Sequence, residues 1–371
     1  MAGEAKVIKP DLNFVNRVIA SGGETVKKCY QCDTCCVVCN VTPDAKPFPR
    51  KEMLQAQWGL SEVVQNPDIW LCHQCSDCTA YCPRGAKPGE VLGVLRQMCI
   101  ENYATPPFLA RMVGDSKFLP LLIAFPVLLL LAALKVTGHL HMPEGPIVFS
   151  KLFPTLLIDA IFVPAFFFAV VVLGKGVMTF WKDINVNPWK VKASGNFVGD
   201  LIATLTDILF HNRFRQCEVT YERSTNHLFV VFGFIFLAIV TGWGFLNEWV
   251  LHHDSPYHIY EPIKLLAIVG SAALLYGIFN ILKARQANAE KAGTGTYFDW
   301  LFIYVVFTVG ATGLGAWVFR LLGISLLAYP VYFVHLCAVF FLFFYAPFSK
   351  MAHMVYRTAA MLYARMADRG F

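Results

Sequence analysis

The chain has 371 residues, of which 56% are hydrophobic and only 15% charged, with 32 phenylalanines. A charge content well below the soluble norm of about 25% excludes an ordinary soluble domain. The net charge of +6 is modest, and its placement, taken up below, reads as a membrane topology signal rather than as nucleic-acid binding.

Up to about Tyr103 the chain has the composition of a soluble module. Phe14, Val15, Val18 and Ile19 form a short helical stripe that Gly22 and Gly23 stop. Next come Cys29, Cys32, Cys35 and Cys39. The insert that follows holds Met53, Leu54, Trp58, Leu60, Val63 and Val64 at near-helical spacing and ends in the turn Asn66-Pro67-Asp68. A second cysteine run follows, Cys72, Cys75, Cys78 and Cys82 with Pro83, then a third stripe of Val91, Leu92, Leu95 and Met98. The module is therefore expected to be helical.

Both runs read C-x2-C-x2-C-x3-C, the spacing that holds a [4Fe–4S] cluster. Three closely spaced cysteines wrap three corners of the cubane, and in two-cluster ferredoxins the fourth serves the other cluster. This assigns Cys29, Cys32, Cys35 and Cys82 to one cluster, and Cys72, Cys75, Cys78 and Cys39 to the other. Structural zinc prefers two C-x2-C pairs. Disulfides need an oxidising compartment, and no secretory signal peptide precedes the motif. Asn40 stands where the first motif would carry proline, so a local backbone difference is expected there. Cys36, Cys99, Cys217 and Cys337 read as packing residues. His73, inside the second motif, is expected to tune or cover its cluster.

From Phe118 the chain reads as membrane. Six stretches reach the roughly 20 residues needed to cross the hydrocarbon core: Phe118 to Val136, Thr155 to Trp181, His227 to Trp249, Pro262 to Leu282, Phe298 to Phe319 and Tyr329 to Phe348. Lys182, Lys190, Lys192, Arg213, Arg215 and Arg223 follow span two. Lys283, Arg285 and Lys291 follow span four, and Lys350, Arg357, Arg365 and Arg369 follow span six. The other side has Lys151, with Arg320 at a boundary. The basic side is expected to be cytoplasmic, which puts the cysteine module and both termini in the cytoplasm of a bacterial inner membrane. The expected fold is all-α: a helical two-[4Fe–4S] ferredoxin domain over 1–110, then a six-helix transmembrane haem b domain over 111–371.

Histidine inside a span is costly and marks function. His335 and His353 lie 18 residues apart. On an unbroken helix they share a face, about 27 Å apart, one toward each leaflet. Each would ligate a b-type haem with a second histidine from another helix. His227 is at the depth to pair with His353. For His335 the partner stays open among His211, on an amphipathic cytoplasmic segment, and His139, His141, His252, His253 and His258 in outer loops.

The segment HLCAVFFLFFYAPFSKMAH, His335 to His353, resembles the last span of the haem-b subunit of respiratory nitrate reductase. In that family another span carries two histidines ten residues apart; His227 matches the first, and Leu237 stands where the second is expected. CYQCDTCCVVC, FPRKEM and IWLCHQCSDCTAYCPRGAKPGEVL resemble the C subunit of heterodisulfide reductase. The two halves in this order resemble the C subunit of the quinone-interacting membrane-bound oxidoreductases of sulfate reducers. That resemblance implies a menaquinone-linked electron-transfer subunit with one or two haems b. Its partners would be soluble flavin and iron–sulfur subunits homologous to heterodisulfide reductase A, connecting to adenylylsulfate reductase. A heterodisulfide reductase-like or sulfite-reductase-linked complex is the alternative. The chain would complete no active site alone: the only Cys-Cys pair, Cys35–Cys36, lies inside a cubane motif, and no flavin or nucleotide motif is visible.

Overall fold

The computed structural model describes residues 9–43, 46–186, 193–253 and 256–369. It is all-α, with no strand among the described residues. Lys190 and Lys192, counted above in the basic loop, lie outside them.

Each N-terminal stripe becomes a helix with its apolar side inward. α1, Leu12–Val18, buries Phe14 and Val18, one turn apart, and starts where the Asp11 side chain accepts from the N–H groups of Asn13 and Phe14. α2, Arg50–Gln57, buries Met53 and Ala56. α3, Pro88–Tyr103, has proline in its first turn and buries Val91, Leu92, Leu95 and Met98.

Four spans follow the expected order. They are α4 (Leu119–Val136), α5 (Thr155–Val186), then α7 (Tyr221–Trp249) and α8 (Pro262–Ala287), after the amphipathic α6 (Phe197–Phe210). The last two are α9 (Tyr297–Leu321) and α10 (Ser325–Phe344). All six are long and apolar enough to cross a bilayer. They expose large apolar side chains such as Phe166, Phe167, Val170 and Val171; water would penalise such surfaces and lipid would not. α7 and α8 approach closely because glycine faces the contact: a Cβ on Gly277 would lie 2.5 Å from the Asn226 carbonyl oxygen. Leu237, where the sequence suggests a haem ligand, packs into the apolar core formed with α8 and α9.

The structure corrects one expectation. His335 and His353 do not share an unbroken helix. α10 ends at Phe344, two short 3-10 turns follow, and α11 (His353–Met366) begins at His353 itself. Pro347 supplies no N–H, and Ser349 is extended, with its hydroxyl accepting from the Met351 N–H. α11 packs against α5, α6 and the short helix Asp68–Leu71 that leads into Cys72. Trp70 stacks on Tyr356 at 5.4 Å. One continuous apolar core runs from α1 and α3 through Trp70 to Tyr356 and Phe348.

The far end of α11 closes a buried charge cluster. Arg369 meets Asp68 at 2.7 Å, and Lys51 bonds the same carboxylate. Glu52, fully buried beside them, accepts from Asn66 Nδ2 at 2.9 Å. Burial pushes its carboxyl up to about 8. Below the ordinary value of 4.5 both folded and unfolded forms are neutral, and this contribution to stability is whole. As pH rises toward 8 the unfolded chain releases the proton first, so stability falls by about 1.4 kcal/mol per pH unit. Glu52→Gln should flatten that decline. Thermal melting of the detergent-solubilised protein at pH 5 and pH 8 checks it: the variant's Tm should fall less between the two than the wild type's, and equal falls would be the contrary result.

Candidate functional site: two cysteine sets beside a histidine cluster

The two cysteine loops have one backbone shape. In each, the residues flanking the second cysteine adopt left-handed conformations: Gln31 and Asp33 with φ of 60° and 70°, Gln74 and Ser76 with φ of 52° and 70°. Four non-glycine residues in that region at matching positions mark a loop held for a purpose.

Cys29, Cys32, Cys35 and Cys82 line one pocket, with Arg50 and Arg84 at its edge. Cys82 comes from the second motif. Its sulfur accepts from the Ala86 N–H, and the Cys29 sulfur from Gln31 Nε2, both at 3.3 Å. Cys32 is exposed, and Tyr30, Val37 and Tyr81 present large apolar surfaces nearby.

The other set lies deeper: Cys72, Cys75 and Cys78 are each 9% exposed or less. Burial first, then the sulfurs of Cys72 and Cys75, push the Cys39 thiol up to about 12. Cys78 likewise stands within electrostatic reach of Cys72, Cys75 and Cys39. The Cys72 sulfur accepts from the Gln74 N–H at 3.3 Å and from Arg96 at 3.7 Å. The sets adjoin where Cys35, Cys36 and Cys78 pack together. Each set thus gathers three cysteines of one motif and the fourth of the other, a donor arrangement that fits a cubane cluster.

Basic residues that the sequence puts after spans two, four and six converge on this deeper set. Arg357 donates to the Cys72 carbonyl at 3.1 Å and to the His73 ring; Arg223 donates to the Gln74 carbonyl at 2.5 Å. Lys350 bonds Asp299 and also Gln74, which bonds Asp299 at 3.1 Å, with Arg285 3.9 Å from the same carboxylate. These contacts lock the cysteine module to the ends of α7, α8, α9 and α10.

The histidines beside this junction have readable tautomers. His353 directs Nδ1 at the Lys350 carbonyl oxygen, 2.6 Å away. A carbonyl only accepts, so Nδ1 carries the proton and Nε2 keeps a free lone pair. Burial pushes this imidazole down to about 3, so it is neutral at physiological pH. His211 directs Nδ1 at the Ile208 carbonyl at 2.6 Å, which leaves its Nε2 to accept from His227 Nδ1 at 2.7 Å. His227 therefore also presents a bare Nε2, and His353 is within electrostatic reach of it. His211, weighed from sequence as a ligand, spends its acceptor nitrogen on orienting His227. His335 follows the same pattern deeper in the bundle: Nδ1 donates to the Val309 carbonyl at 3.1 Å, beside Thr312 Oγ1 at 3.2 Å. Gly313 leaves room for its ring, since a Cβ there would lie 2.9 Å from Cε1. No second histidine contacts His335 among the described residues. Metal-ligating histidines characteristically have the far nitrogen held by an outer partner in this way, and His227 and His353 each present a free Nε2 so held.

His73 joins the two regions. Its ring lies 5.3 Å from Phe214, which lies 6.1 Å from His227. Sequence reasoning missed Phe214 and the loop that carries it, although the neighbouring Asn40 substitution gave a hint. Cys217, expected to be isolated, sits in that loop with its sulfur within 4.8 Å of the Cys75 sulfur.

This fold and site define a class: an all-α membrane protein with homology to the C-type iron–sulfur subunit of heterodisulfide reductase. Within it, the chain belongs to the citrate utilization protein B family, whose family model matches residues 110–370. It is 26% identical over 381 residues to citrate utilization protein B of Escherichia coli, covering 97% of this chain and 93% of that protein. It is 35% identical over 105 residues to the C 2 iron–sulfur subunit of CoB–CoM heterodisulfide reductase of Methanocaldococcus jannaschii, covering 26% of this chain and 56% of that one. A similar match, 35% over 103 residues, is to the C2 subunit of the H2/formate:CoB-CoM heterodisulfide,ferredoxin reductase of Methanococcus maripaludis, covering 25% of this chain and 56% of that one. The chain thus spans about half the length of these heterodisulfide reductase relatives. No solved structure gives a significant match.

Proposed function

We propose that this chain is the membrane electron-transfer subunit of a quinone-linked oxidoreductase complex. Cys29, Cys32, Cys35 and Cys82 hold one [4Fe–4S] cluster, Cys39, Cys72, Cys75 and Cys78 a second, and His227 and His353 one haem b. When bound, these groups exchange single electrons between menaquinol and a soluble partner. The observation that carries the reading is the crossing of fourth cysteines: Cys82 lines the pocket of the first motif. Zinc sites and disulfides give no reason for that exchange; a pair of cubanes does.

The protein's own part is to space, orient and tune. Buried Cys72, Cys75 and Cys78 lie beside the histidines, and exposed Cys32 faces outward. Electrons would therefore enter or leave the soluble partner at the first set and exchange with the haem side at the second. Arg96, Arg223 and Arg357 crowd the deeper set and favour its more negative, reduced form. The converging basic residues support placing the cysteine module and the C-terminus on the cytoplasmic side of a bacterial inner membrane.

The soluble partner has two readings. Similarity to heterodisulfide reductase subunits favours other subunits of the heterodisulfide reductase kind; on our reading these carry flavin and iron–sulfur clusters and serve adenylylsulfate reduction. Similarity along nearly the whole chain to a citrate utilization protein favours a partner that serves citrate utilization. The test is reduction of the purified chain in proteoliposomes by a menaquinol analogue, followed optically and by electron paramagnetic resonance. Reduction of b-type bands together with [4Fe–4S] signals is expected. Clusters reducible by dithionite but never by quinol would reject the quinone link. Co-purified soluble proteins separate the two partners.

A further inference from the structure

The loop between α6 and α7 is fastened to the cysteine loops along its length. Asn40, next to Cys39, donates to the Gln216 carbonyl at 3.0 Å and to Glu218 Oε1 at 3.3 Å. The N–H groups of Glu218 and Val219 donate to the two carboxylate oxygens of Asp77 at 3.1 and 2.9 Å. Thr220 donates to the Cys75 carbonyl at 3.0 Å. Asn40 thereby gains a role that proline, with no side-chain donor, could not fill.

At the centre of this fastening is Cys217, 2% exposed. Its sulfur, the Cys75 sulfur and an Asp77 oxygen all lie within 4.8 Å of one another, which puts the two thiols within reach of an S–H···S contact. Five cysteine sulfurs are thus gathered where a cubane has four iron corners. The four motif cysteines already fill those corners by the crossed pairing. Asp77 has both oxygens committed to backbone N–H groups. The fifth thiol is left with a proton and an acceptor beside it.

We infer that Cys217 is a tuning residue of the second cluster: its thiol donates an S–H···S hydrogen bond to the coordinating sulfur of Cys75. Such a bond draws electron density off the thiolate and stabilises the reduced, more negative cluster, raising its potential. It also couples the cluster to the bundle, because the donor sits on the loop that runs from His211 to α7, the helix that carries His227. The inference rests on the iron–sulfur reading above and adds to it a residue outside both cysteine motifs.

The experiment is a redox titration of the full-length purified chain, followed by electron paramagnetic resonance, as wild type, Cys217→Ala and Cys217→Ser. Cluster content should be unchanged in all three. In Cys217→Ala one cluster should titrate lower, with a roughly tenfold smaller reduced-to-oxidised ratio at a fixed potential, ~59 mV for one electron. The other cluster should not move. Serine keeps an O–H donor at the same place, so Cys217→Ser should recover most of the shift. Coincident titrations of wild type and Cys217→Ala would overturn the inference and return Cys217 to packing. Conversion of one cluster to a three-iron form in both variants would also overturn it, by making Cys217 a ligand. A wild-type chain with no [4Fe–4S] signals would instead remove the reading beneath it.

Discussion

Cys82→Ala should remove the cluster built on the first cysteine motif and spare the one built on its own. Cys82 shares its pocket with Cys29, Cys32 and Cys35, some fifty positions earlier in the chain. Of the three remaining cysteines of that set, Cys32 is open to solvent, Cys29 half-buried and Cys35 buried. Loss of the fourth corner there should strip the cluster or leave a three-iron remnant. Non-haem iron content should fall from roughly eight toward four per chain. The deeper set keeps Cys39, Cys72, Cys75 and Cys78, the last three of them buried, so its resonance should survive. The optical spectrum of the haem should also be unchanged, since nothing at Cys82 touches the histidines. Cys39→Ala is the mirror experiment and should remove the deeper cluster. Loss of the deeper cluster in Cys82→Ala would overturn the crossed pairing.

The second large effect belongs to His353. Its Nδ1 is fixed on the Lys350 carbonyl, and its Nε2 is free. His353→Ala should abolish low-spin haem b at the His227 site and slow quinol-driven reduction of the clusters by more than about a hundredfold, beyond what is typical for loss of an outer-shell partner. Unfolding is separable from ligand loss here. The rest of α11 is anchored by the Trp70–Tyr356 stack and by Arg357 on the Cys72 carbonyl. Dithionite-reduced cluster signals should therefore remain at full strength. A variant with full haem content would show that His353 is not a ligand.

Much of this was legible in the sequence because the signals are local or strongly periodic. Cysteine spacing announced two like loops, and the structure gives them one backbone shape. The stripes at Phe14, Met53 and Val91 became buried helix faces, and six apolar stretches became six helices. The failures are equally physical. Apolar content runs unbroken from α10 through Phe348, so hydropathy hid the break at Pro347 and Ser349 that precedes α11. Leu237 could be seen to replace a histidine, but its packing against α8 could not. The Cys217 loop was invisible for another reason: its bonds to Asp77 bridge 141 and 142 positions, and no short-range pattern encodes a contact of that span. The tautomers of His227, His335 and His353 likewise depend on carbonyl groups that only the folded bundle supplies.

The account stands on the claim that a pair of crossed [4Fe–4S] sites adjoins a bis-histidine haem in one chain. The most direct measurement is a redox-titrated optical and electron paramagnetic resonance spectrum of the purified full-length protein. Two [4Fe–4S] signals that broaden each other through spin coupling are expected, because the sets adjoin at Cys35 and Cys78, together with a low-spin b-type haem. A chain with zinc in place of iron, or with clusters but no reducible b-type bands, would contradict it.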